Sequence, residues 1–290
     1  MANLAESIAA GHFVVTSELN PPKGTDLTSL FERADSLKHC VNAFNVTDSH
    51  AAKMSICPMA VAHLLHQRGI EPIMQMTSRD RNRIGIQSDL LGASALGIPN
   101  VVFMGGDPPK IGDHPDAPGV YDLVSVDVLE AAKALCNGQD MNGNELSGAA
   151  SLHIGAVVNP GADDLDAEID KMKAKVDAGA QFLQTQAIYE PAAFERFMNA
   201  IDGIDVSILA GIILLKSAKM AQYMTDNVPG IDVPEALIRR MDDTDDKGAT
   251  SIDIAGEVIN DIKSMCQGIH VMPMGWEAKI PGVLERVDIG

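Results

Sequence analysis

The chain has 290 residues, enough for one large domain or two small ones, each with a full core. Its 40 acidic and 22 basic residues give a net charge of −18, which argues against non-specific binding to nucleic acid or to anionic membranes. No apolar run reaches membrane length and no signal-peptide pattern opens the sequence, so the expected location is the cytoplasm.

The first predicted strand covers residues 13–17 and is closed by Glu18 and the Pro21-Pro22 turn. A helix over 27–39 follows, with Thr25 or Asp26 as its cap. A strand at 43–46 ends at Thr47-Asp48, and a helix over 58–68 stops at Gly69. A third strand, 73–76, ends at Thr77, and the helix over 81–96 ends at Gly97. The fourth, 101–104, has no polar alternation, which marks a strand buried on both faces. It runs into Gly105-Gly106-Asp107-Pro108-Pro109, where glycines permit a tight turn and prolines stop the strand.

The second half repeats the alternation. After an extended loop over 108–123 come a helix at 124–136 and a polar connection at 137–148. A strand at 152–158 ends at Asn159-Pro160-Gly161, followed by a charged helix over 163–178. The strand 182–185 ends at Gln186, before a helix at 191–200. The strand 207–214 precedes helices at 216–227, 233–241 and 251–267. The last strand is 270–274, and a short helix over 281–287 ends the series.

Eight strands alternating with helices predict one domain over 1–290, an α/β fold built as a (β/α)8 TIM barrel. No Gly-x-Gly-x-x-Gly follows the first strand, which argues against a Rossmann domain, and P-loop, HExxH and Gly-x-Ser-x-Gly motifs are absent. In a barrel the polar strand ends converge on one mouth, which gathers Glu18, Thr47, Asp48, Thr77, Asp107, Asn159 and Gln186. Carboxylates in a partly apolar mouth are candidates for shifted pKa values, and so for proton donation near neutral pH. No predicted strand end carries a histidine, and the four cysteines form no Cys-x-x-Cys pair, so metal ligation has little support. Lys171, Lys173 and Lys175 either aim a cation at a phosphate or form a solvated helix face. Trp276 is expected to pack, and the 15 methionines to fill core gaps.

Six segments, in order, resemble the methylenetetrahydrofolate reductase family. They are Glu18-x-x-Pro21-Pro22-Lys23, Val46-Thr47-Asp48 and Thr77-Ser78-Arg79-Asp80-Arg81-Asn82 in the first part. Gly106-Asp107-Pro108-Pro109, Asn159-Pro160 and the run from Lys175 through Ala178-Gly179-Ala180 to Thr185-Gln186 complete the set. The resemblance implies a flavin, FAD or FMN, at the C-terminal ends of the strands of a (β/α)8 barrel. It implies interconversion of 5,10-methylenetetrahydrofolate and 5-methyltetrahydrofolate, with NADH, NADPH or an electron-donor protein as partner. By the same resemblance Glu18 is the general acid, Asp107 a catalytic residue beside flavin and pterin, and Gln186 a folate contact. Thr47, Gln75, Thr77, Gly106, Asp107, Asn159 and Lys175 fall on cofactor-binding positions, and a homo-oligomer is the expected assembly. Gln75 stands where many members have a histidine, and Gly105 where some have an arginine. Two other readings stay open. One is a barrel aldolase or lyase using Lys216 as a Schiff-base amine; the other is a folate-binding or partner-dependent subunit with an altered flavin or nicotinamide site.

Overall fold

The structure, a computed structural model, describes residues 3–288. Eight parallel strands close into a barrel in sequence order: β1 (Val14–Leu19), β2 (Ala43–Val46), β3 (Pro72–Thr77), β4 (Asn100–Met104), β5 (His153–Val158), β6 (Phe182–Ala187), β7 (Ser207–Ile213) and β8 (Gly268–Met272). The helices α2 (Thr28–Leu37), α3 (Pro58–Gln67), α4 (Arg83–Ala95), α5 (Ser125–Cys136), α6 (Leu165–Asp177) and α7 (Pro191–Ala200) each follow one strand. Three helices, α8 (Ala218–Asn227), α9 (Glu235–Asp243) and α10 (Lys247–Ile262), follow β7, and α11 (Ile280–Leu284) follows β8. The expected single (β/α)8 barrel is what the chain forms.

Strand periodicity explains the two cores. Outward residues such as Phe44, Met74, Phe103, Leu183, Ile212 and Val271 pack with the helices in one apolar cluster. Val14, Ala43, Ile73, Val102, Phe182 and Leu209 point the other way and form a separate cluster inside the barrel. Leu4, fully buried, joins that inner cluster from a helix the sequence reading did not include, α1 (Leu4–Ala9). This helix closes the N-terminal end of the barrel. The backbone N–H of Leu4 donates to Glu71 Oε1 at 2.8 Å, and Asn100 Nδ2 donates to the same oxygen at 2.8 Å.

Several boundaries move from expectation. Glu18 lies within β1 rather than behind it. The helix expected over 251–267 runs instead from Lys247 to Ile262, because Asp246 accepts the Ala249 N–H as its cap. Strand β8 consequently begins at Gly268, with His270 at its centre rather than at its start. Gly268 is required there, since a Cβ would fall 2.2 Å from the Val14 carbonyl oxygen. Asp164 caps α6 through the Ala167 N–H, and Glu168 is buried beneath the same helix, so the acidic run 163–170 is not a purely solvated face.

Candidate active site

Above the inner apolar cluster, the inward positions turn polar. Thr16, Asn45, Gln75, Gln184 and His270 are all at most 5% exposed. Asn45 Nδ2 donates to Gln184 Oε1 at 2.7 Å, and Gln184 Nε2 donates back to Asn45 Oδ1 at 3.0 Å. Thr16 Oγ1 lies 3.0 Å from His270 Nδ1, and Gln184 Nε2 lies 3.4 Å from it. A polar belt inside a barrel survives only when its members satisfy one another, and these contacts provide that.

Glu18 stands one layer higher, on the mouth side of the belt. Its carboxylate accepts from Gln75 Nε2 at 3.4 Å and faces His270 Nε2 at 3.8 Å. Burial works to raise the Glu18 pKa, but the contact with His270, with His50 and Gln75 behind it, outweighs it and holds the carboxyl below its ordinary value. His270 is the functional candidate that sequence reading passed over. With the strand boundary set two residues late, its inward position was hidden.

The segment Thr77 to Asn82 is a girdle joining three strand ends. Asp48 Oδ2 accepts from the Thr77 N–H at 2.8 Å, from Thr77 Oγ1 at 3.0 Å and from Arg81 Nη1 at 2.6 Å. Arg81 also holds Asp89 at 2.9 Å. Burial opposes the charge on Arg81, yet the two aspartates drive its pKa up. The buried Arg79 donates to the carbonyls of Ser49 and Asp107, at 3.4 and 3.3 Å, and so ties the β2 and β4 loops. Asn82 caps α4 through the Ile84 and Gly85 N–H groups.

The remaining site candidates spread around the rim. Thr47 is buried and donates to Asn20 Oδ1 at 2.9 Å. Gly106 has φ +85 and lies against Thr77, whose Cβ would be 2.9 Å from any Cβ there. Asp107 is exposed beside it, and no atom lies within 4 Å of where a Gly105 Cβ would project. A register shift in β6 between Gln184 and Ala187 lets Thr185 Oγ1 accept the Gly211 N–H and presents Gln186 half-buried. Gln186 Oε1 folds back to its neighbour's N–H, at Ala187. The Asn159 N–H donates to Glu168 Oε1, and its side chain donates to the Pro229 carbonyl. Lys175 reaches inward and donates to the Val157 carbonyl at 2.7 Å; burial lowers its pKa, though Glu168 pulls the other way.

Glu18 and Gln75 are thus brought together, as are Thr77 and Gly106, while the side chains of Asp107, on the loop after β4, and Gln186, at the end of β6, are not joined to them. A cavity of about 760 Å³ opens to the side of this set, between Pro160, Asp163, Tyr189, Glu190, Asn227 and Gly230. Among the described residues, Ser49, Ala51, Ala52, Tyr121 and Met274 are non-glycine residues with positive φ, and all belong to connections at the mouth. Lys216 places its amine 5.6 Å from the Trp276 ring, with Lys279 at 5.2 Å, so both cations lie within cation–π range of the indole. Among the described residues, no cluster of three or more His, Cys, Asp or Glu side chains has the arrangement of a metal site.

For a flavin, the fit divides between its two ends. The open face over Gly105, the left-handed Gly106 against Thr77, and the exposed Asp107 suit a planar ring approaching the backbone closely. At the phosphate end Lys175 is near enough to serve, once it leaves the Val157 carbonyl.

The profile described as "Methylenetetrahydrofolate reductase" matches residues 3–288. Methylenetetrahydrofolate reductase 2 of Schizosaccharomyces pombe is 24% identical over 99% of this chain and 47% of its own length. The 5,10-methylenetetrahydrofolate reductase of Pectobacterium carotovorum is 24% identical over 87% of this chain and 80% of its own. The chain spans about half the length of the first of these curated relatives and of a rice relative, "Probable methylenetetrahydrofolate reductase (NADH)", which is covered to 50%. Among solved structures, a Clostridium thermocellum protein that binds two copies of 5-methyl-5,6,7,8-tetrahydrofolic acid superposes with a TM-score of 0.66 and 15% identity, over 99% of this chain and 98% of that one. A 2,3-dimethylmalate lyase follows at 0.56 and 11% identity. At these identities the superpositions speak to the barrel fold alone.

Proposed function

The chain belongs to the methylenetetrahydrofolate reductase family, and from that premise we propose that it interconverts 5,10-methylenetetrahydrofolate and 5-methyltetrahydrofolate, with Glu18 as general acid. The observation that carries the reading is Glu18 itself, an ionisable group set inside the barrel between a satisfied polar belt and an open mouth. When bound, a flavin, FAD or FMN, supplies hydride exchange with the methylene carbon. Thr47, Gln75, Thr77, Gly106 and Asp107 would hold its ring end, and Asn159 and Lys175 its phosphate end.

The protein's own contribution is the proton. Opening the methylene bridge to an iminium requires that the departing amine nitrogen be protonated, and Glu18 delivers that proton. In the open mouth its carboxyl is held in the ionised form. A ligand seated over it excludes water and adds to the burial that already raises it, which moves it toward the protonated state an acid needs. The Asp107 carboxylate, next to the ring, favours the cationic intermediate by charge. Gln186 turns its amide from Ala187 to the folate. NADH or NADPH is the proposed reductant, as in the names of the plant and Caenorhabditis elegans relatives.

The test is Glu18→Gln, with the half-reactions separated by stopped-flow absorbance. Reduction of the bound flavin should stay within about two-fold, while transfer to folate should fall by roughly 10²- to 10⁴-fold. Equal losses in both would remove Glu18 from the acid role.

The engagement of Lys175 by a backbone carbonyl favours one second reading, a folate-binding subunit that carries no flavin. The folate-binding Clostridium thermocellum protein of similar fold is consistent with it. A colourless purified protein that binds 5-methyltetrahydrofolate would select this reading; flavin bands that bleach with NADH and return with methylenetetrahydrofolate would select the reductase.

A further inference from the structure

His270 is buried and central, and no role in the reaction has yet been given to it. Its ring lies in the polar belt with β1 on one side and β7 on the other. On β7 its register partner is Gly211, where a Cβ would fall 2.4 Å from the Thr185 carbonyl oxygen. The question is which ring nitrogen carries the proton, because only that nitrogen can act as a donor toward Glu18.

The belt answers it. Asn45 Nδ2 donates to Gln184 Oε1, and in this orientation of the amide pair the Gln184 nitrogen, rather than its oxygen, is turned toward His270. One hydrogen of the NH2 goes to Asn45 Oδ1, and the other points at His270 Nδ1. Thr16 Oγ1 adjoins the same nitrogen and has a second acceptor in the Ile269 carbonyl, at 3.3 Å. A nitrogen facing an amide donor is an acceptor, so Nδ1 carries the lone pair and the proton sits on Nε2. Nε2 is the nitrogen that faces Glu18 Oε1, at 3.8 Å.

We propose that the Asn45–Gln184 amide pair locks His270 as the Nε2–H tautomer, making it a positioning residue that directs its N–H at Glu18 and stabilises the carboxylate left after proton delivery. At 3.8 Å this is an electrostatic contact rather than a full hydrogen bond. It leaves Glu18 free to swing toward a ligand and return. The tautomer rests on this orientation of the amide pair; the catalytic consequence rests on Glu18 acting as the acid. The charged and titratable groups around the pair are few. Among the described residues, Glu18 is the charged side chain paired with the His270 ring, and His50, from the loop after β2, adds its field at Glu18.

Two measurements on the whole protein test this. In the first, two-bond 1H–15N correlation spectra of 15N-labelled protein at neutral pH identify the His270 ring by its loss in His270→Gln. The expected pattern is a bare Nδ1 and a protonated Nε2, which relaxes to a tautomer mixture in Gln184→Met. A protonated Nδ1, an imidazolium, or a pattern unmoved by Gln184→Met overturns the lock. In the second, 13C-carboxyl NMR follows Glu18 titration in wild type and in His270→Phe, with Asn45→Val/Gln184→Met as a belt variant that keeps the imidazole. Removing the imidazole should move Glu18 titration to higher pH and slow hydride transfer to folate by about 10-fold, with flavin reduction unchanged. A Glu18 titration that does not move overturns the positioning role, whatever happens to the rate. If the titration moves as expected but no folate chemistry is found, the belt assignment stands and the proposed reaction fails.

Discussion

Asp48 gives the most demanding test of the girdle. Replacing it with alanine deletes the acceptor for the Thr77 N–H, for the Thr77 hydroxyl and for Arg81 together. The Asp48 side chain is 5% exposed and that of Arg81 16%, so water does not readily replace what is lost. Removing one partner of a buried ion pair typically costs about 3–5 kcal/mol, since the other charge is left desolvated. Here Asp89 still faces Arg81 from 2.9 Å and is itself 37% exposed, which puts the cost at the lower end, about 3 kcal/mol. That is a large fraction of the ~5–15 kcal/mol that stabilises a typical domain. Asp48→Asn keeps an acceptor for the Thr77 N–H and should lose less, about 1–2 kcal/mol. Adding Arg81→Met to Asp48→Ala should recover much of the deficit, because no charge is then stranded. Equilibrium urea unfolding, with the m-value checked for constancy, reads all three. A loss below about 1 kcal/mol for Asp48→Ala, or no recovery in the double variant, would refute the picture of a buried, mutually dependent network.

Other consequences are as direct. Burial pushes His153 down from 6.5 to about 4, so its neutral form contributes stability that is complete above pH 6.5 and is lost as pH falls toward 4. By linkage that amounts to about 3 kcal/mol, and pH-dependent urea midpoints of His153→Gln should be flatter across that window. Gly155→Ala would put a Cβ 2.4 Å from the fully buried Phe182 ring, which stacks on His153; overpacking of this kind costs about 1–3 kcal/mol and should appear as a lower thermal midpoint. Asp107→Asn should shift the reduction potential of a bound flavin upward, since a carboxylate beside the ring disfavours the reduced anion; spectroelectrochemistry showing no shift would move Asp107 away from the cofactor.

The barrel was legible because each strand is a short apolar run ended by Gly, Pro, Asp or Asn, and each helix shows its own period and stop. Two features were harder to see, for different reasons. Helix α1 has only six residues, too few for periodicity, yet its signal is in the sequence: Asn3 and Glu6 cap each other reciprocally, the Asn-x-x-Glu pattern of a capping box. The polar belt has no local signal. Asn45 and Gln75 sit inside runs whose neighbours are apolar, and Gln184 lies 139 positions from its partner, so only closure of the barrel brings them together. His270 was lost through one boundary, since the glycine that begins β8 is there for a close backbone approach and resembles a loop residue in sequence.

Helix α1 and the apolar layer above it close one end of the barrel, and this bears on how hydrogen isotopes enter and leave its interior. The exchangeable hydrogens of Gln75 and His270 open to solvent from the opposite end. A ligand lying across that opening therefore isolates them. Deuterons on the Gln75 amide and the His270 ring should therefore wash out more slowly while a ligand is seated than in the free protein. The barrel then keeps a small private store of hydrogen, refilled each time the mouth is vacated.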